Sequence, residues 1–122
     1  MPKLQSIEMI ESYVSGSSMR VAGKTYTTDL KIIGDKVKGN WWRRDGHRLV
    51  SDDIVDILDS GPAMLVVGTG YAGNLDISAN LRRDLAERGI RLIFERTAEA
   101  VELFNRHRAQ GKNVAGAFHL TC

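Results

Sequence analysis

One cysteine, Cys122, in 122 residues leaves no intrachain disulfide to be made. No run approaches the roughly 18 apolar residues of a membrane span, so membrane insertion is not expected. The opening MPKLQSIEMIESY has neither the apolar core of a secretion signal nor the Arg-rich, acid-poor character of a transit peptide. Together these absences point to a reduced, cytoplasmic setting. Charge of one sign is also scarce: 17 basic groups face 15 acidic ones, a formal +2. Although the pI is about 8.9, so small a surplus builds no strong field for nucleic acid or membrane. Internal repeats and low-complexity stretches are missing too. At 13.5 kDa the chain is too short for two ordinary domains, and residues 1–122 read as one. A domain of this size buries roughly two thirds of its extended surface, enough to stand without a staple.

What is present changes character near residue 51. Up to that point Tyr13, Val14, Met19, Val21, Thr25 to Thr28, Leu30, Ile32 and Ile33 favour β structure, punctuated by Gly16, Gly23, Gly34 and Gly39. The pattern predicts a hairpin of Met19–Val21 and Lys24–Ile33 around an Ala22-Gly23 turn, then a strand from Val37 to Arg43 ending at Asp45-Gly46. From Ser51 the rhythm is helix and strand in alternation. Ser51 is the expected N-cap of a helix burying Ile54, Ile57 and Leu58, stopped by Gly61-Pro62. Met64–Val67 reads as a buried strand. Ser78–Arg88 reads as a helix closed by Gly89, and Ile90–Phe94 as a second buried strand. Thr97 is the expected cap of a helix running to Gln110, stiffened by a Glu102–Arg106 pair, and Val114–His119 is the last strand. Alternation demands crossovers. The fold class is therefore α/β, a mixed central sheet with helices plus a smaller antiparallel N-terminal sheet, both halves sharing one core.

Several strings then coincide in order: Gly23-Lys24-Thr25-Tyr26, Trp42-Arg43 with Gly46-His47, Leu65-Val66-Val67-Gly68-Thr69-Gly70, Gly89-Ile90, and Ala117-Phe118-His119-Leu120-Thr121-Cys122. Over essentially the whole chain this order resembles a small, largely uncharacterised domain family that includes mitochondrial complex I assembly factor 3 and the adipogenesis-associated domain protein. The resemblance implies a three-layer β plus α/β fold and no established catalytic activity. For the mitochondrial members it implies protein partners in assembling a respiratory complex.

Four constellations could carry chemistry. Gly68-Thr69-Gly70-Tyr71-Ala72-Gly73 spells the dinucleotide fingerprint after an apolar strand, with Glu95 where a ribose-binding acid would lie. That chemistry needs the helix to begin within the glycines, whereas the cap falls at Ser78 and residues 74–77 intervene. A structural loop, or a nest of amides for a small anion at Gly68, Thr69, Gly70 and Gly73, is the alternative. Lys36, Lys38, Trp41, Trp42, Arg43, Arg44, His47 and Arg48 interleave cations with indoles, as a single-stranded nucleic-acid site or a protein contact would. Trp41 and Trp42 should face opposite ways, so that one is buried, and acids of the following helix are expected to neutralise the arginines. His119 and Cys122 offer two metal ligands or a thiol beside an imidazole, short of a closed metal site. Asp52, Asp53, Asp56 and Asp59 should lie mainly on a solvated helix face.

Three readings follow. The leading one is a non-enzymatic protein-interaction or assembly-factor-like domain, with an unidentified protein partner at Trp41 or Trp42 with Arg43, Arg44 and His47. The second is a small-molecule or anion-binding protein, with scope for an enzyme, whose pocket lies at Gly68–Gly73 and is edged by His119, Thr121 and Cys122. The third is a weak binder of single-stranded nucleic acid. No cofactor and no metal are expected.

Overall fold

The computed structural model describes residues 9–122. The reading of the opening segment as leaderless rests largely on residues 1–8, which lie outside them. In chain order the elements are strands β1 (Ile10–Val14), β2 (Ser18–Val21), β3 (Lys24–Tyr26), β4 (Leu30–Ile33), β5 (Lys36–Lys38) and β6 (Arg48–Leu49), a 3-10 turn (Ser51–Ile54), helix α1 (Val55–Ser60), strands β7 (Met64–Thr69) and β8 (Asp76–Ile77), helix α2 (Ala79–Glu87), strand β9 (Arg91–Glu95), helix α3 (Thr97–Ala109) and strand β10 (Val114–His119).

The antiparallel β1-β2-β3 sheet stands beside a mixed five-stranded sheet of order β5-β4-β10-β7-β9, and β6 pairs with β8 in a short parallel ribbon. The expected α/β class, with a mixed central sheet and a smaller antiparallel one, is therefore present. β10 joins the two halves: it runs parallel to β7 and antiparallel to β4, so β4 and β5 share one sheet with the alternating half.

Alternation along the central strands divides the core in two, because successive strand side chains point to opposite faces. Leu65, Val67, Ala115 and Ala117 meet Trp41, Ile54, Ile57, Leu81 and Leu85 on the face covered by α1 and α2. Met64, Val66, Val114 and Phe118 meet Ile10, Met19, Val21, Ala100 and Phe104 on the face covered by α3 and the small sheet. Gly116 lets the two rings of that second core pack edge to face, with centroids 5.6 Å apart, since a Cβ there would lie 2.4 Å from the Phe118 ring. Buried Asn105 ties β1 to α3, its amide donating to the Ile10 carbonyl at 2.8 Å. Among the described residues no helix is long and apolar enough to cross a membrane.

Several local expectations are corrected. Lys24–Ile33 is not one strand: it breaks at Thr27-Thr28-Asp29, and its two ends join different sheets. The strand expected from Val37 to Arg43 stops at Lys38, leaving residues 39–43 irregular. Ser51 does not cap a helix; the Asp53 carboxylate accepts the Val50 amide at 3.0 Å, and the Ser51 hydroxyl reaches Asp84 instead. The strand after α2 is an edge, and Phe94 is 40% exposed rather than buried. Thr97 opens α3 without capping it, because its hydroxyl is committed elsewhere. Glu102 and Arg106 form no ion pair among those of the described residues. Ser78 and Gly89 behave as expected, the first accepting the Leu81 amide at 3.1 Å and the second left-handed at φ 73°.

Candidate functional site

The glycine loop is filled by the chain's own C-terminal segment. Helix α2 begins at Ala79, beyond residues 74–77, so no helix N-terminus opens within the glycines. The Tyr71 and Asn74 amides donate to the main-chain oxygens of Thr121 and Cys122 at 2.8 and 3.0 Å. Those of Gly73 and Leu75 turn inward to Gly70 and Thr69. The Gly70 amide donates to the buried Thr97 hydroxyl at 2.9 Å, which in turn donates to the His119 carbonyl at 2.6 Å. Gly70 has φ +102°, and a Cβ there would stand 2.5 Å from the Cys122 oxygen. The glycine is required by that close approach. The expected nest of amides at Gly68, Thr69, Gly70 and Gly73 is therefore corrected: the amides of Gly70 and Gly73 already have partners in the chain. A shallow hollow of about 360 Å³ adjoins the loop, but Asp76 and Glu95 line it together with Arg82 and Arg96.

The polar centre lies across β10 from that loop. Asp29, at the break between β3 and β4, accepts three hydrogen bonds: the Leu120 amide on Oδ1 at 2.8 Å, and Arg43 Nη1 and His119 Nδ1 on Oδ2, each at 2.8 Å. Burial opposes ionisation of Asp29, yet the bonds from His119, the Leu120 amide and Arg43 outweigh it and hold the carboxyl below its ordinary value. Arg43 also donates to the Gly46 carbonyl at 3.0 Å and lies over the Trp41 ring, 4.9 Å from its centroid. Trp41 is anchored in turn, its indole N–H donating to the Asp53 carbonyl at 3.0 Å. The β6–β8 ribbon fixes the far side of the loop, where the His47 carbonyl accepts the Asp76 amide at 2.8 Å.

These residues floor a cleft of about 330 Å³ whose walls include Thr27, Thr28, Trp42, His47 and Thr121. Among the described residues, the buried side-chain nitrogens without a partner are Arg43 Nε and His119 Nε2, and both residues line this cleft. Buried polar atoms are normally paired, and a pair of exceptions among the residues of one depression singles it out as the candidate site.

The structure brings together Trp41, Trp42, Arg43, His47, His119 and Thr121. Cys122 is adjacent, with Sγ 3.8 Å from His47 Nε2, but does not line the cleft. Trp41 is buried and Trp42 is 81% exposed, so one indole faces each way as expected. Arg43 is not a surface arginine: its side chain is 5% exposed and paired with Asp29, not with acids of the following helix. Asp56 leaves the solvated face to bind Lys31 and Lys38 at 2.8 and 3.0 Å. No group of three metal-ligating side chains occurs among the described residues.

Sequence reasoning missed Asp29. The signal was there, since an acid is a poor strand former in the middle of an apparent ten-residue β run.

A small β plus α/β domain with a polar cleft between its central sheet and an irregular loop is thus defined. Residues 10–119 match the family described as protein of unknown function DUF498/DUF598, and the chain belongs to it. Its fold is similar to that of a protein described as an outer membrane protein from Bartonella henselae, at 23% identity and TM-score 0.79 over 94% of this chain and 96% of that one. A Xanthomonas campestris protein is similar at 21% identity and TM-score 0.79, over 98% of this chain and 92% of its own. A Mth938-like domain from Bordetella pertussis follows at 17% identity and TM-score 0.68, over 93% of this chain and 85% of its own. At these identities the likeness concerns the fold.

Proposed function

We propose that this chain is a binding domain whose ligand site is the Asp29–Arg43–His119 cleft. The observation that carries this is the unpartnered His119 Nε2, buried in a residue 5% exposed that lines an open depression. Asp29, itself held by the Leu120 amide, holds the imidazole in place, so the orientation of that nitrogen is set before any ligand arrives. The small-molecule reading of the sequence thus moves from the glycine loop to the opposite side of β10. A screen of small polar fragments against the isotopically labelled chain tests it by NMR. Amide shifts gathered at Asp29, Arg43, His47 and His119–Thr121 are expected; hits confined to other surfaces, or no hits, contradict it.

A second reading is favoured by Trp42, 81% exposed at the mouth of the same cleft with Arg44 and His47 exposed beside it. Exposed Trp and Arg are frequent anchors of protein contacts. The resemblance to an assembly factor supports the same idea, and a cytoplasmic setting is proposed with it. Substituting Trp42 and Arg44 by Ala, with Arg43 kept, should abolish recovery of a stoichiometric protein partner; undiminished recovery contradicts this surface. A nucleic-acid partner remains the third reading. Pairing of Arg43 with Asp29 removes one of its cations.

A further inference from the structure

We infer that the cleft takes a small planar carboxylate, bound together with a proton on His119 Nε2 and stacked against the Trp42 indole. This rests on the cleft reading above and names the ligand class.

The tautomer comes first. A carboxylate oxygen only accepts, so the Nδ1 lying 2.8 Å from Asp29 Oδ2 carries the hydrogen between them. Arg43 Nη2 is 3.1 Å from the same Nδ1 but has the Gly46 carbonyl as its acceptor. Nε2 is therefore the free position of the ring. The second orphan, Arg43 Nε, is a donor under all conditions. A ligand that only donates leaves it unpaired. A carboxylate, with two acceptor oxygens, serves Arg43 Nε–H directly and serves Nε2 once that nitrogen is protonated.

Charge counting leads the same way. Asp29 and Arg43 cancel each other, so a protonated His119 has no counter-charge left in the cleft. The other groups facing it do not supply one. The His47 ring stands edge-on with its centroid 6.5 Å away, and the Cys122 thiol sits beyond it against His47. From β1 the Tyr13 hydroxyl donates to the Leu120 carbonyl at 2.6 Å, and burial pushes its ionisation upward, so it stays neutral. From β7 and α3 the neighbours are Thr69 and Thr97, which carry no charge. One carboxylate entering with one proton from solvent makes two cations and two anions, Arg43, Asp29, His119 and the ligand, and leaves the net charge as it was.

The flat shape follows from the walls. The Trp41 ring is already covered by Arg43 at 4.9 Å and Lys31 at 5.8 Å, whereas the Trp42 ring is open. A volume of about 330 Å³ suits a ligand of one ring. Since Arg43 Nε and His119 Nε2 are both buried in the free chain, the ligand's entry requires a small movement of the side chains that line the cleft.

Calorimetric titration of the full chain with benzoate and with benzyl alcohol, from about pH 5.5 to about pH 8.5, tests this. Benzoate should bind at least tenfold tighter than the alcohol. Its Kd should weaken by about tenfold per pH unit in the upper part of the range, the mark of one proton taken up per ligand. H119Q, which keeps an amide donor but neither the titrating ring nor its charge, should bind benzoate more weakly than the natural chain at low pH and without that slope. Benzyl alcohol binding as tightly as benzoate, or benzoate binding with no pH slope in the natural chain, overturns the carboxylate and leaves the cleft standing. Binding of neither probe also overturns the carboxylate, and the cleft falls with it only if the fragment screen is silent as well.

Discussion

The loop at residues 68–75 carries a well-known sequence motif and is closed; the loop at residues 39–47 carries none and is open. In the first, amides that look available to a phosphate are spent on Thr121, Cys122 and Thr97, and Gly70 exists because the tail passes 2.5 Å from where a Cβ would stand. Beside the second, Arg43 Nε of the loop and His119 Nε2 of β10 lack partners at a cleft. What separates the two is hydrogen-bond accounting. A glycine pattern says only that the backbone is closely approached, and here the approaching group is the chain itself.

The largest effects that would sharpen this contrast lie under the open loop. Asp29→Ala leaves Arg43 Nη1 and the Leu120 amide without their acceptor and the guanidinium without its counter-charge, and should cost about 3–5 kcal/mol in denaturant unfolding. A change near zero would show that the Asp29 cluster does not hold the cleft. Trp41→Ala should cost a similar amount, about 3–5 kcal/mol, by emptying the core beneath the loop. Next comes the tail that plugs the closed loop. Thr97→Val strips the Gly70 amide and the His119 carbonyl of their partner and should lose about 2–4 kcal/mol.

The pH dependence of Asp29 is subtler. Its folded carboxyl titrates below the unfolded value, so its contribution is fully present above about pH 4 and fades as pH falls through the folded value. The stability gap between the natural chain and Asp29→Asn should therefore narrow on acidification; a gap that widens below about pH 4 would contradict the ionised cluster. Smallest of all is Trp42→Ala, expected to change stability by no more than about 0.5 kcal/mol while removing binding at the cleft. A loss of several kcal/mol there would mean that this indole is a structural part of the loop.

Much of the fold was legible because it follows from periodicity. The continuous apolar runs of β7 and β10, the Ser78 cap, the Gly61 and Gly89 stops and the helix–strand alternation each have a local physical cause. The misreadings share another cause, tertiary demand on a polar residue. Thr97 forgoes capping to join Gly70 to His119, Ser51 turns to Asp84, and Asp29 breaks a β run to collect Arg43, His119 and the Leu120 amide. The candidate site was half legible. Trp41, Trp42, Arg43, His47, His119 and Thr121 were singled out, but Asp29, which joins Arg43 to His119, sits about 90 residues from His119 in sequence and no spacing rule joins the two.

Amide hydrogen exchange at Gly70, Tyr71 and Asn74, measured with and without pyrophosphate, probes the contrast between the two loops most directly. The internal hydrogen bonds predict slow exchange at all three in the free chain and no further slowing when pyrophosphate is added. Fast exchange that pyrophosphate suppresses would mean that the glycine loop is an open anion site after all.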